Sequence, residues 1–170
     1  HDNLLWYTKG SEWTFNPQYR PYSEGTMQRG RTAVKGEGAA LREEGTPIND
    51  WWTDVKKITS PTDPEKLYYP TQKSEELLAR IINMHTKPEQ LVFDCFMGSG
   101  TAQATAMKLG RRFIGSDINL GAIQITTKRL IKAANEICET LPEDDLRRFT
   151  GFELYNVNQY DVFRNPAQAV

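Results

Sequence analysis

The sequence predicts an α/β fold with a mainly parallel, doubly wound sheet. Three observations carry this reading. From Ser74 onward, stretches of helical period alternate with short apolar runs. The runs LVFDCF (Leu91 to Phe96) and RFIGSDI (Arg112 to Ile118) flank an Ala-rich helical segment of crossover length. A Gly-rich turn, GSG, joins the first run to that helix. Strand, helix, strand, helix in that order is the pattern of a parallel sheet.

The elements follow in order. LLWY (Leu4 to Tyr7) reads as a strand, and residues 11 to 60 read as loop and short strand, because neither period persists among their Gly, Pro, Arg and Glu. Ser74 is positioned to cap a helix with Leu77, Leu78, Ile81 and Ile82 on one face, ended by Lys87-Pro88. LVFDCF is continuously apolar but for one acid, as expected of a strand buried on both faces. Thr101 to Leu109 is the next helix, and Gly110 suits the position just past its end. RFIGSDI supplies the second strand. Asn119 can cap a long helix with Ile123, Leu130, Ile131, Ala134, Ile137 and Cys138 as its buried stripe, and FELYNV (Phe152 to Val157) is a candidate third strand.

In such sheets ligands bind beyond the carboxyl ends of the strands. Gly98 and Gly100 let the backbone bend and approach a ligand, and the N–H groups of Ser99 through Ala102 at the helix start suit a carboxylate or phosphate. Asp117, at the end of the second strand, can accept both hydroxyls of a ribose. A dinucleotide fingerprint would need a third Gly where Gln103 stands, and no GxxxxGK[ST] phosphate loop is present. Asp94 would repel phosphates and pair with an amine. Ammonium, carboxylate, sulfonium and ribose together describe S-adenosylmethionine.

The stretch DCFMGSGTAQATAMKLGRRFIGSDIN resembles the cofactor motif of DNA methyltransferases that modify an exocyclic amine of adenine or cytosine. Asp94, Phe96, Gly98, Ser99, Gly100 and Thr101 match D-x-F-x-G-S-G-T place for place, and Asp117 falls on the acid of G-x-D. YPTQKSEELLARII is similar to the family's Y-P-T-Q-K-P segment, with Ser74 for the usual Pro. HDNLLWYTKG and WWTDVKKI resemble the stretches flanking the target-recognition region. The resemblance implies a Rossmann-like, S-adenosylmethionine-dependent methyltransferase fold in the circularly permuted β-class order. It also implies a cofactor site of Thr71, Lys73, Asp94, Cys95, Phe96, Gly98, Ser99, Gly100, Thr101, Asp117, Ile118 and Asn119. Thr71 and Lys73 would reach the cofactor carboxylate, while Phe96, Ile118 and Asn119 would border its methionine arm or adenine. On this reading residues 1 to 10 are a strand of the catalytic domain, 11 to 60 a target-recognition segment, 61 to 140 the cofactor-binding half, and 141 to 170 a C-terminal extension.

The family's [DNS]-P-P-[YFW] tetrapeptide, whose side chain and carbonyl hold the target amine, is absent. NPQY (Asn16 to Tyr19) differs at its third position and reads as turn chemistry. The chain opens within a presumptive strand without Met and stops at NPAQAV, so it is expected to be part of a larger enzyme with an incomplete fold, binding cofactor weakly or not at all and lacking turnover by itself. Arg29, Arg31, Lys35, Trp51 and Trp52 are candidate contacts to double-stranded DNA, with a solvated loop and packing as their alternatives. EDDLRRF near residue 145 reads as a solvated helix or turn.

The formal net charge of −1 does not by itself advertise nucleic acid. No apolar stretch reaches membrane-span length, and two cysteines without framework spacing suit a reduced cytoplasm. His1 and His85 have no partners at metal-ligand spacing. A restriction subunit or a second copy is a candidate partner. An RNA or small-molecule methyltransferase, and a non-catalytic module docking DNA or a partner, remain as alternatives.

Overall fold

Helix starts and a pair of short parallel strands organise the chain, seen in a computed structural model that describes residues 2–29, 41–140 and 151–157. The elements are β1 (Tyr19–Arg20), α1 (Glu24–Arg29), β2 (Thr46–Pro47), α2 (Glu75–His85), β3 (Leu91–Asp94), α3 (Thr101–Lys108), β4 (Arg112–Gly115) and α4 (Leu120–Thr140). β1 and β2 pair antiparallel, Tyr19 with Pro47 and Arg20 with Thr46. β3 and β4 pair in parallel, from Leu91 with Arg112 to Asp94 with Gly115. The parallel α/β unit expected from the sequence is therefore present, β3-α3-β4 with α4 following.

Burial follows the sheet pleat. Val92 and Phe113 are half-buried, while Leu91 (49% exposed), Phe93 (63%) and Ile114 (51%) lie on the other face. Ala104 and Met107 of α3 and Leu130, Ala133 and Ile137 of α4 form the core, with Phe113, Ala134 and Phe152 packed against it. The expectation that β3 is buried on both faces is thus corrected: helices cover one face among the described residues.

Four further expectations are revised. Leu4 to Tyr7 form no strand, and all four side chains are at least half exposed. Phe152 to Val157 run without strand pairing, although Phe152 reaches the core. The inward face of α4 is Ala122, Thr126, Arg129, Leu130, Ala133 and Ile137, so Ile131 and Cys138 turn outward. An apolar stripe read from residue types alone missed that Ala, Thr and Arg fill the closest approach to α3. Finally, α1 forms where loop was expected, its first turn closed by Ser23, whose hydroxyl and carbonyl accept the Thr26 N–H at 3.3 and 2.9 Å.

Helix ends are capped with one exception to expectation. Ser74 precedes α2 but makes no side-chain cap; the Glu65 carboxylate accepts the Glu75 N–H at 2.9 Å instead. Asn119 caps α4 as read, its Oδ1 accepting the N–H groups of Gly121 (2.7 Å) and Ala122 (3.3 Å). At the other end of α2, the Asn16 amide donates to the carbonyls of Asn83 (2.8 Å) and Thr86 (3.0 Å). The leading residue of NPQY is thereby spent on satisfying a helix C-terminus. α2 runs into the start of β3, so this cap lies at the amino ends of the strands, away from the Gly-rich turn. Among the described residues no helix is long and apolar enough to cross a membrane.

Candidate functional site

The site assembles where β3 and β4 end. Past Asp94 the chain turns through residues 95–100 and enters α3. Ser116 donates its N–H to the Asp94 carbonyl at 3.0 Å, and Met97 returns an N–H to the Ser116 carbonyl at 3.1 Å. The two strand ends are thereby laced together. The Asp94 carboxylate accepts the Phe96 N–H at 3.0 Å, which starts the turn. Gly98 (φ +52°) and Gly100 (φ +69°) both adopt left-handed backbone. Space forbids a side chain at either place: a Cβ on Gly98 would lie 2.9 Å from the Tyr69 ring, and one on Gly100 2.4 Å from Thr126.

The Asp117 carboxylate joins the two halves of the site. One oxygen accepts the Gly98 N–H at 2.9 Å and the other the Asn119 N–H at 2.8 Å. An ionised carboxylate has about four acceptor sites, so roughly two remain for a ligand. α3 makes its first helical bond from Ala104 N–H to the Gly100 carbonyl at 3.0 Å. The N–H groups of Thr101, Ala102 and Gln103 therefore precede the helix ladder, at the positive end of its dipole. Phe96 (86% exposed) and Ile118 (96% exposed) stand open beside this backbone.

Ser99 and Thr101 are buried, and their hydroxyls lie 3.2 Å apart. The Thr101 hydroxyl donates to the Lys73 carbonyl at 3.2 Å, so Lys73 is brought to the loop by its backbone. Thr71, Lys73 and Cys95 have exposed side chains at the rim. The segment around Thr71 is shaped by Gln72, which donates to the Glu65 carbonyl at 2.5 Å and accepts the Leu67 N–H at 2.8 Å.

Of the candidate DNA contacts, the structure describes the side chains of Trp51 and Trp52. Arg29 closes α1, and Arg31 and Lys35 lie outside the described residues, as does EDDLRRF. Trp51 is exposed. Trp52 is engaged in packing: its indole N–H donates to the Asn49 carbonyl at 2.8 Å, and the Arg80 guanidinium sits 5.2 Å from its ring centre. Arg80 also forks onto Asp54 at 3.0 and 2.5 Å. That hydrogen-bonded pairing holds the Asp54 carboxyl down at about 2. A shallow cleft of about 600 Å³ lined by Trp13, His85, Gln90 and Arg112 lies at the opposite end of the strands and has no part in this arrangement.

Residues 1–128 match the family model described as DNA methylase. The chain belongs to the DNA methylase family. This methylase chain is 42% identical over 93 residues to the type II methyltransferase M2.DpnII of Streptococcus pneumoniae, covering 55% of this chain and 34% of that protein. It is 40% identical over 91 residues to M2.LlaDCHI of Lactococcus lactis subsp. cremoris, covering 54% of this chain and 33% of that protein. The match to M1.MboII of Moraxella bovis is 54% over 54 residues, 32% of this chain and 21% of that protein. A solved complex of M1.HpyAVI with SAM aligns over 72% of this chain and 46% of its own, with 33% identity and a TM-score of 0.44. The methylase chain spans about a third or less of the length of these curated relatives.

Sequence reading missed the residues that support the loop: Thr126, whose hydroxyl donates to the Gly98 carbonyl at 3.0 Å, and Arg129, which donates to the Ser99 carbonyl at 3.3 Å. The signal was present as a polar pair, Thr126 and Arg129, three apart on an otherwise apolar helix face. Gln103 fills the space above Gly115, where an added Cβ would meet its amide at 2.6 Å. The residue that argued against a dinucleotide fingerprint is therefore a buried packing element.

Proposed function

We propose that this chain supplies the S-adenosylmethionine-binding part of a DNA methyltransferase acting on an exocyclic base amine, most simply that of adenine. The observation that carries the reading is the Asp117 carboxylate, fixed by Gly98 and Asn119 beside the open start of α3. The residues fit such a cofactor in charge and shape. The remaining acceptor sites of Asp117 suit a ribose diol, the leading N–H groups of α3 suit a carboxylate, and Asp94 suits an ammonium. Phe96 and Ile118 offer apolar cover for an adenine, and the side chains of Thr71 and Lys73 stand at the rim. When bound, S-adenosylmethionine supplies an electrophilic methyl group on its sulfonium. The chain's own part is to orient it and exclude water from its adenosine. The division at residues 10, 60 and 140 and contact of residues 11–60 with double-stranded DNA belong to this proposal. So does pairing of the exposed strand edges with a companion subunit or second copy.

Calorimetric titration of the purified chain with S-adenosylmethionine, and separately with NAD, tests the reading. Weak but saturable binding of the first alone is expected, weakened a further roughly tenfold to a hundredfold in Asp117→Asn by the loss of charge-assisted hydrogen bonds. Equal binding of both ligands, or an Asp117→Asn chain that binds as the parent does, refutes it. Because no D/N/S-Pro-Pro-aromatic tetrapeptide occurs in these 170 residues, DNA methylation by the chain alone is expected to be undetectable.

A further inference from the structure

One charged side chain is buried where the functional reading gives it no task. Arg129, in the middle of α4, is 7% exposed. Its guanidinium donates to the Ser99 carbonyl at 3.3 Å and the Thr101 hydroxyl at 2.8 Å from one nitrogen, and to the Glu75 carboxylate at 3.0 Å from another. Glu75 is the first residue of α2. Its second oxygen takes Lys108 at 2.9 Å, and Lys108 in turn reaches Glu136 of α4 at 2.9 Å. Arg129, Lys108, Glu75 and Glu136 thus tie α2, α3 and α4 together, with Lys132 also reaching Glu136 at 3.8 Å. Burial opposes the charge on Glu75, yet the hydrogen bonds from Lys108 and Arg129 prevail and leave its carboxyl below the ordinary value.

A buried ion pair is weak evidence for stability, since an apolar side chain of similar volume often does as well. The targets of this guanidinium are informative instead. One is a main-chain carbonyl inside the Gly-rich turn. Another is the hydroxyl that holds the Lys73 carbonyl. Arg129 therefore joins the two backbone segments, 71–74 and 98–101, that line the candidate site, and touches no open surface itself. A planar fork is suited to hold several acceptors at fixed angles, whereas an ammonium is a point charge on a flexible stem.

We propose that Arg129 is a positioning residue, which sets the Gly-rich turn against the 71–74 segment and so preorganises the backbone that receives the cofactor. This rests on the cofactor reading above for its functional consequence, but not for its structural one. Amide hydrogen exchange of the ligand-free chain reads the structural part. In Arg129→Met, exchange of the bonded turn amides of Met97, Gly98 and Gly100 is expected to accelerate at least tenfold while the core of α4 near Ala133 changes little. Titration with S-adenosylmethionine reads the functional part, with affinity expected to fall roughly tenfold, the size seen when supporting contacts around a site are lost. Arg129→Lys is expected to fall between parent and Arg129→Met in both readouts. Should Arg129→Met not fold, Thr101→Val removes only the hydroxyl that Arg129 holds and is expected to loosen the same amides. Unchanged exchange at Met97, Gly98 and Gly100 in the folded variant overturns the proposal, as does parental affinity in Arg129→Met. A parental chain that fails to bind S-adenosylmethionine sinks the cofactor reading alone, and the exchange data still decide the role of Arg129.

Discussion

Substituting Gly100 by Ala should be among the most damaging single-methyl changes in this chain. An L-residue held in left-handed backbone costs about 1–2 kcal/mol, and Gly100 sits at φ +69°. The new Cβ would also lie 2.4 Å from Cγ2, 2.6 Å from Oγ1 and 2.9 Å from Cβ of Thr126. Thr126 is buried and β-branched, so it has few rotamers to move to. Rotating it breaks its hydroxyl bond to the Gly98 carbonyl, worth roughly 0.5–1.5 kcal/mol net. Shifting α4 away instead costs about 1–3 kcal/mol, as overpacking does. The first route brings the loss to about 1.5–3.5 kcal/mol and the second to about 2–5 kcal/mol, a large share of the roughly 5–15 kcal/mol that holds a typical domain together. Urea unfolding followed by helical circular dichroism measures it. Thr126→Ala removes the two nearest atoms, so Gly100→Ala combined with Thr126→Ala should lose about 1–2 kcal/mol less than the sum of the single changes. A loss below about 1 kcal/mol for Gly100→Ala refutes the argument, and so does additivity within about 0.5 kcal/mol.

Two ion pairs give further expected outcomes. The carboxyl of Glu75 lies below its ordinary value of 4.5 in the folded chain, so its contribution is complete above that value and is lost as pH falls through the lower, folded value. The stability gap between the parent and Glu75→Gln should accordingly be wide at pH 7 and shrink on acidification below 4.5; a gap independent of pH contradicts the pairing. Arg80→Ala removes both the fork on Asp54 and the cation over Trp52. Asp54 is largely exposed, so the combined cost is modest, about 1–2 kcal/mol. Trp52 fluorescence should shift red as the ring loses its cover, and an unmoved spectrum would remove Trp52 from the α2 contact.

What the sequence determined alone is local. Gly98, Gly100, Asp117 and Asn119 were legible because turn geometry and helix capping are set within a few residues of chain, and the helix–strand order followed from stretches of helical period alternating with short apolar runs. The parallel pairing of Leu91–Asp94 with Arg112–Gly115 was legible too, since a short helical crossover between apolar runs leaves little choice. Tertiary structure alone decided the rest. Ser99 and Thr101 match a ligand motif, but that the Thr101 hydroxyl meets Arg129 is decided by a helix residue 28 positions further on. Leu91 to Phe96 looked like a strand covered twice, and the number of layers that cover it is not written in the strand. The inward face of α4 takes in Ala122, Thr126 and Arg129 beside Leu130, Ala133 and Ile137, which only the position of α3 reveals. Asn16 reads as turn chemistry within NPQY, and only the position of the α2 carbonyls reveals it as a helix C-terminal cap. The physical reason is common to all four: a side chain's partner across space is fixed by packing of distant elements, while its backbone conformation is fixed by its neighbours in the chain.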